Sequence, residues 1–289
     1  MKTIFSKLPR RSLFAMLPAL LTACSGADLL NATVSTDSYR RTEGLAYGTD
    51  PRQLIDVYQP AAGASRAPLV VFFYGGSWSS GERGDYRFVG EALASRGIVA
   101  MVADYRLSPA VRYPAFVQDS ASAVRWAVDH AAEFGADEQR IFVMGHSAGA
   151  YNAAMVALDA RWLAAVGLAP SRLAGWIGLA GPYDFLPIGD AQTRVAFSWP
   201  QTPADSQPIV HASRASPPAL LLAPTKDSVV NPQRSTVAMA ARLRASGVRV
   251  ESELFDDVSH VTLLASMAQV LRSRAPVLAR VAGFVQSTG

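Results

Sequence analysis

One stretch, Arg140 to Ala160 (RIFVMGHSAGAYNAAMVALDA), limits what this chain can fold into more than any other. Ile141 to Met144 is an unbroken apolar run, which reads as a strand buried on both faces of a parallel sheet. The small, Ala-rich segment that follows reads as a helix packed closely on that sheet. Between them Gly145-His146-Ser147-Ala148-Gly149 fits a G-x-S-x-G turn, in the strand-turn-helix setting that gives the pattern meaning. A serine on so sharp a turn has strained dihedrals, and side chains at the two flanking positions would collide. Gly145 and Gly149 remove those side chains. The turn also sets Ser147 at a helix N-terminus, where free N–H groups and the positive dipole end favour an oxyanion. Ser147 is therefore the candidate nucleophile, and the N–H of Ala148 is a candidate oxyanion donor.

Pro68 to Phe73 (PLVVFF) reads as a second buried strand, followed at once by Tyr74-Gly75-Gly76-Ser77-Trp78. Backbone amides on a Gly-rich loop can approach a developing oxyanion closely, so the N–H groups of Gly76 and Ser77 complete the predicted hole. After a further strand at Ile98 to Ala103, Asp104-Tyr105-Arg106 is expected to form an ion-paired loop that braces the oxyanion loop.

A general base can be found by elimination, because the chain has only four histidines. His130 falls inside a helical pattern that runs from Tyr113-Pro114 to Ala132 and precedes the serine. His146 adjoins Ser147, with its side chain expected to point away from the site. His211 follows a proline-rich segment and precedes the candidate carboxylate. His260 alone lies after a late strand and after Asp227, which ends its own strand at Ala219 to Ala223. Asp256 and Asp257 are rival carboxylates, but they share the loop of His260. The set Ser147, Asp227 and His260 has the chain order of the α/β-hydrolases.

On these residues the chain resembles α/β-hydrolases of the carboxylesterase group, close to hormone-sensitive-lipase-like, feruloyl-esterase-like and arylformamidase relatives. The resemblance runs from about Tyr39 to the C-terminus. It rests on YGGSW at Tyr74 to Trp78, DYRLSP at Asp104 to Pro109, YPAFVQD at Tyr113 to Asp119, GHSAGA at Gly145 to Ala150, and the places of Asp227 and His260. It implies an α/β fold over residues 39–289: a mostly parallel sheet of about eight strands, helices on both faces, and a short cap insertion. Leu54 to Tyr58 is expected at a sheet edge, and Val248 to Leu254 as the last strand. The insertion, about 181–212, has five prolines and no clear period, as expected of a lid or binding loop. Trp78 and Tyr183 are candidate walls of a substrate pocket. One departure stands out: the family loop begins His-Gly-Gly, and Tyr74 holds the histidine position, so other partners must brace it.

The N-terminus reads as a targeting segment, to be set aside in reading the fold. Lys2, Lys7, Arg10 and Arg11 precede a short apolar stretch, Leu13 to Leu21, and then Leu21-Thr22-Ala23-Cys24 resembles the lipobox of bacterial lipoproteins. Residues 1–23 are thus expected to be cleaved, Cys24 to be acylated, and residues 24–38 to form a tether. Arg10-Arg11-Ser12-Leu13-Phe14 also resembles a twin-arginine export signal. Ser25 beside the cysteine resembles lipoproteins sorted to the outer membrane, facing the periplasm. Cys24 is the only cysteine, so no intramolecular disulfide can form. Of 27 basic residues, those four lie in the leader, and the remainder balances the 23 acidic ones. Net charge therefore gives no reason to expect nucleic acid as a partner.

The resemblance implies a serine carboxylesterase acting on small or aryl esters, anchored by lipid in the cell envelope, with no cofactor and no metal. An arylformamidase-like amide hydrolase is the alternative suggested by Gly75 to Trp78. A catalytically silent binding module of the envelope is the alternative from another class.

Overall fold

A computed structural model describes residues 26–288. The leader and Cys24 lie outside the described residues. The centre is one eight-stranded sheet in the order β1-β2-β4-β3-β5-β6-β7-β8. Its strands are β1 (Tyr39–Ala46), β2 (Leu54–Pro60), β3 (Ala67–Phe73), β4 (Val99–Ala103), β5 (Ala136–His146), β6 (Gly175–Leu179), β7 (Ala219–Pro224) and β8 (Val250–Phe255). The β1–β2 and β2–β4 pairs are antiparallel, and every pair from β3–β4 onward is parallel. The strands β3, β4, β6 and β7 are buried at every position, as their unbroken apolar runs require of a sheet covered on both faces.

The helices are α1 (Gly26–Ala32), α2 (Arg87–Ala94), α3 (Ala115–His130), α4 (Ala148–Leu158), α5 (Ala160–Ala164), α6 (Ala191–Ala196), α7 (Ala238–Ala245), α8 (His260–Ala265) and α9 (Val277–Ser287). One face of the sheet is covered by α2 and α9, which touch each other; α3 and α4 pair on the opposite face. The helix α4 is buried along its whole length, because Ala150, Ala153, Ala154 and Ala157 let its backbone lie close to the sheet. None of the described helices is long and apolar enough to cross a membrane.

One expectation is corrected. Leu54 to Tyr58 lies inside the sheet, with β1 on one side and β4 on the other. The true edge, β1, reads YRRTEGLA and is mostly exposed, and its charges discourage pairing with a second chain. Within the span expected as a tether, residues 26–32 form α1, which is fastened to the body. There the Asn31 side-chain amide donates to the Gly84 carbonyl at 2.9 Å, its Oδ1 accepts the N–H of Phe88, and Leu30 packs on the core.

Candidate active site

The parallel strands deliver the predicted residues to one edge of the sheet, at their C-terminal ends, where ligands of open α/β sheets bind. Ser147 follows β5 directly and caps α4, with φ 53° and ψ −121°. The strained turn is held by close approach of backbone. A Cβ on Gly145 would lie 2.1 Å from the Gly149 carbonyl oxygen, and one on Gly149 would lie 2.0 Å from that of Phe73. The steric reason differs for the two glycines: Gly145 must clear the start of α4, and Gly149 must clear the end of β3 and the loop after it.

His260 is the first residue of α8, whose start is ordered by reciprocal bonds between Ser259 and Thr262. Its Nε2 is 2.8 Å from Ser147 Oγ and its Nδ1 is 2.7 Å from Asp227 Oδ2. A carboxylate can only accept, so Nδ1 carries the proton and Nε2 is free to accept from the serine. The loop after β7 fixes Asp227: its Oδ1 accepts the N–H groups of Val229 and Val230, at 2.8 and 3.1 Å. Burial acts to raise the carboxyl pKa, but the bonds from His260, Val230 and Val229 outweigh it and hold the group below its ordinary range. Asp256 and Asp257 are exposed on the surface and do not enter this chain of bonds. His130 bonds the Trp126 carbonyl and His211 that of Asp205, both away from Ser147.

The loop after β3 runs beside the serine, and a Cβ on Gly75 would lie 3.0 Å from Ser147 Cβ. Gly76 and Ser77 both have positive φ, and neither N–H donates to a backbone or side-chain acceptor among the described residues. Tyr74 replaces the loop histidine with a brace of its own. Its ring is stacked between Tyr86 and Tyr105, at centroid distances of 5.1 and 4.9 Å. The Tyr74 hydroxyl donates to Asp104 at 2.7 Å and accepts from Arg52 at 2.7 Å, while the Tyr105 hydroxyl donates to the Tyr74 carbonyl. Asp104 also receives the backbone N–H and the guanidinium of Arg83. Of the expected brace, Asp104 and Tyr105 reach the loop through Tyr74, whereas Arg106 pairs with Asp119 instead.

Two cavities meet at Ser147. The first, of about 600 Å³, lies on the His260 side and is walled by Leu30, Tyr86, Phe88, Val261, Leu264 and Leu271. The second, of about 470 Å³, lies beneath the insertion, against Trp78, Phe185, Ile188, Asp190, Thr193 and Val230. Trp78 therefore does line a pocket, held by its indole N–H to Asn152 Oδ1 at 3.0 Å. Tyr183 does not. It is fully buried under the sheet, edge-on to Trp176, in the space left by Gly178 and Gly181. The aromatic wall comes instead from Phe185, two residues on.

His146 also differs from expectation. Its ring lies 4.9 Å from that of His260, and its Nε2–H donates to the His260 carbonyl at 2.9 Å. Burial, reinforced by repulsion from a charged His260, pushes its pKa down to about 3. The folded chain thus holds His146 neutral, whereas the unfolded chain binds a proton below about pH 6.5. Between those values the unfolded state carries more protons, so stability falls as the pH falls. From pH 7 to pH 5 this group alone should cost about 2 kcal/mol. His146→Gln keeps a donor for the His260 carbonyl and removes the titration. Urea unfolding at the two pH values should show the loss shrinking by about that amount, and an unchanged loss would contradict this account.

The chain as a whole is similar to known proteins. A family model described as BD-FAE matches residues 55–243. A probable isoprenylcysteine alpha-carbonyl methylesterase of Arabidopsis thaliana is 27% identical over 76% of this chain and 50% of its own. Esterase LipC of Mycobacterium tuberculosis is 30% identical over 72% of this chain and 56% of its own. The chain thus spans about half the length of the curated relatives it matches. Among solved structures, the carboxylesterase EstE1 from a metagenomic library superposes with a TM-score of 0.72 at 22% identity, over 91% of this chain and 94% of its own. A bacterial heroin esterase gives 0.70 at 23% identity, over 90% and 89%. These structures share the α/β-hydrolase fold.

Proposed function

We propose, from the premise that this chain belongs to the BD-FAE family, that it is a serine carboxylesterase forming an acyl-enzyme on Ser147. The observation that carries the reading is the unbroken series Asp227, His260, Ser147, joined at 2.7 and 2.8 Å. His260 takes the Ser147 proton at Nε2 as the oxygen attacks the ester carbonyl. The resulting oxyanion is met by the N–H groups of Gly76, Ser77 and Ala148, fixed before reaction begins. Collapse passes the proton from His260 to the leaving alkoxide, and water repeats the sequence to release the acid. Asp227 keeps Nδ1 protonated and stabilises the imidazolium.

Because the leaving oxygen must collect its proton from His260, the cavity on that side takes the alcohol. The cavity beneath the insertion takes the acyl group. The first is walled chiefly by apolar and aromatic side chains and the second combines Trp78, Phe185 and Ile188 with the polar Asp190 and Thr193, which suits small acyl and aryl or alkyl ester arms. The relatives named above are esterases by name, and that supports esters over formamides. Side-by-side rates on p-nitrophenyl esters and an N-formyl arylamine test this choice: kcat/KM should favour the ester by at least about a hundredfold, roughly 3 kcal/mol in barrier. A preference for the formamide would overturn it.

The proposal includes an address. Leu21-Thr22-Ala23-Cys24 supports cleavage before Cys24 and acylation of its thiol, placing the domain on the envelope, in the outer membrane facing the periplasm. Incorporation of labelled palmitate that disappears in Cys24→Ser is the expected result; an unlabelled, freely soluble chain would contradict it.

A further inference from the structure

We propose that the mouth of the larger cavity is a membrane-docking surface, and that the esters reaching Ser147 through it are dissolved in the lipid. This rests on the anchored-esterase reading and specifies where the anchored domain faces. Seven large apolar side chains stand exposed among the described residues. Three of them, Leu29 (62% exposed), Val229 (64%) and Val261 (67%), also line the cavity at Ser147. A fourth, Val270 (57%), adjoins Leu271 of the same wall. Apolar residues scattered singly over a surface need no explanation, but a set gathered around the opening of an apolar cavity marks an interaction site.

The choice of a bilayer over another partner comes from the chain leading to this rim. Gly26 and Ala27 themselves line the cavity, and Cys24 is two residues before Gly26. Two extended residues reach at most about 7 Å. With α1 fastened to Gly84 and Phe88, no long tether separates an acyl group on Cys24 from the cavity wall. The anchor therefore enters lipid beside the mouth, and the exposed rim is the surface turned towards the hydrocarbon. Beyond the leader, acidic and basic residues are equal in number. Docking is thus driven by apolar insertion and does not need anionic lipid. A long-chain ester could pass from the bilayer along Leu29, Leu30 and Phe88 to Ser147 without crossing water.

The test uses the full acylated chain reconstituted in neutral phosphatidylcholine vesicles, with an environment-sensitive fluorophore on the new thiol of Val261→Cys. Gln139→Cys is the control: it is exposed at the other end of β5, seven residues from His146, or about 23 Å along the strand. On vesicles containing a brominated lipid, the label at 261 should shift to the blue and be quenched, and the label at 139 should not. The chain is also given a long-chain ester in the vesicles and a water-soluble acetate. Val270→Asp should lower the ratio of the first rate to the second about tenfold, the scale of one buried valine. A chain that floats with the vesicles while both labels stay unquenched overturns the docking and leaves the anchor standing. A blue shift at 261 without lipid quenching also overturns it, since the chain's own acyl group would then fill the cavity. Failure to float with the vesicles overturns the anchor and the docking together.

Discussion

Ser147→Ala should lower kcat/KM for a p-nitrophenyl ester by about 10⁴- to 10⁶-fold, the range lost when a serine nucleophile is removed. The fold should survive, because the Oγ bonds only His260 Nε2, and alanine occupies the same backbone shape with no added atom. A change in Tm of more than a few degrees is not expected. The variant also decides between two serines. Ser77 lines both cavities and lies on the oxyanion loop, so it is the nearest rival. No histidine bonds Ser77 among the described residues, and an unactivated hydroxyl is a weak nucleophile. Activity retained in Ser147→Ala would transfer the role to another group and undo the mechanism.

Asp104→Ala should be the most damaging change outside the Ser147, Asp227 and His260 set. Its carboxylate is buried and accepts from the Tyr74 hydroxyl and from both the backbone N–H and the guanidinium of Arg83, with Arg52 at 3.6 Å. Removing it takes one of two carboxylate partners from the partly buried Arg83, which keeps Asp56, and takes the acceptor from the buried Tyr74 hydroxyl. Breaking one side of a buried ion pair costs about 3–5 kcal/mol. The loss also reaches the chemistry, since Tyr74 begins the loop that carries Gly76 and Ser77. A shift of about 1 Å in such donors can cost on the order of a hundredfold in rate. Urea unfolding and kcat should therefore fall together. Tyr74→Phe should lose less, about 1–2 kcal/mol, because Asp104 keeps its bonds from Arg83. Equal losses in the two variants would show that the brace does not run through Asp104.

Much of this site could be read from the residues because steric and chain-order constraints are local. The two glycines around Ser147 and the apolar runs of β3 to β7 each announce themselves within a few positions. Elimination among four histidines needed only the order of strands. Other features depend on partners far along the chain. The helix α1 is too short to show a period, and what holds it is Gly84 and Phe88, more than fifty residues away. The edge strand β1 is polar because it is an edge, so the alternation that reveals a half-buried strand is missing. Tyr183 and Phe185 are both aromatic and two residues apart, and nothing short of the packing of Gly178 and Gly181 says which one is core. The inward turn of His146 depends on a carbonyl 114 residues later.

The central claim is that Ser147, activated by His260, is the group that attacks an ester. Treating the full chain with a fluorophosphonate and mapping the adduct by mass spectrometry tests it most directly. One phosphonyl group per chain, on Ser147, appearing in step with the loss of esterase activity, is the predicted result. A folded chain that hydrolyses esters while Ser147 remains unmodified and another residue carries the label would contradict it.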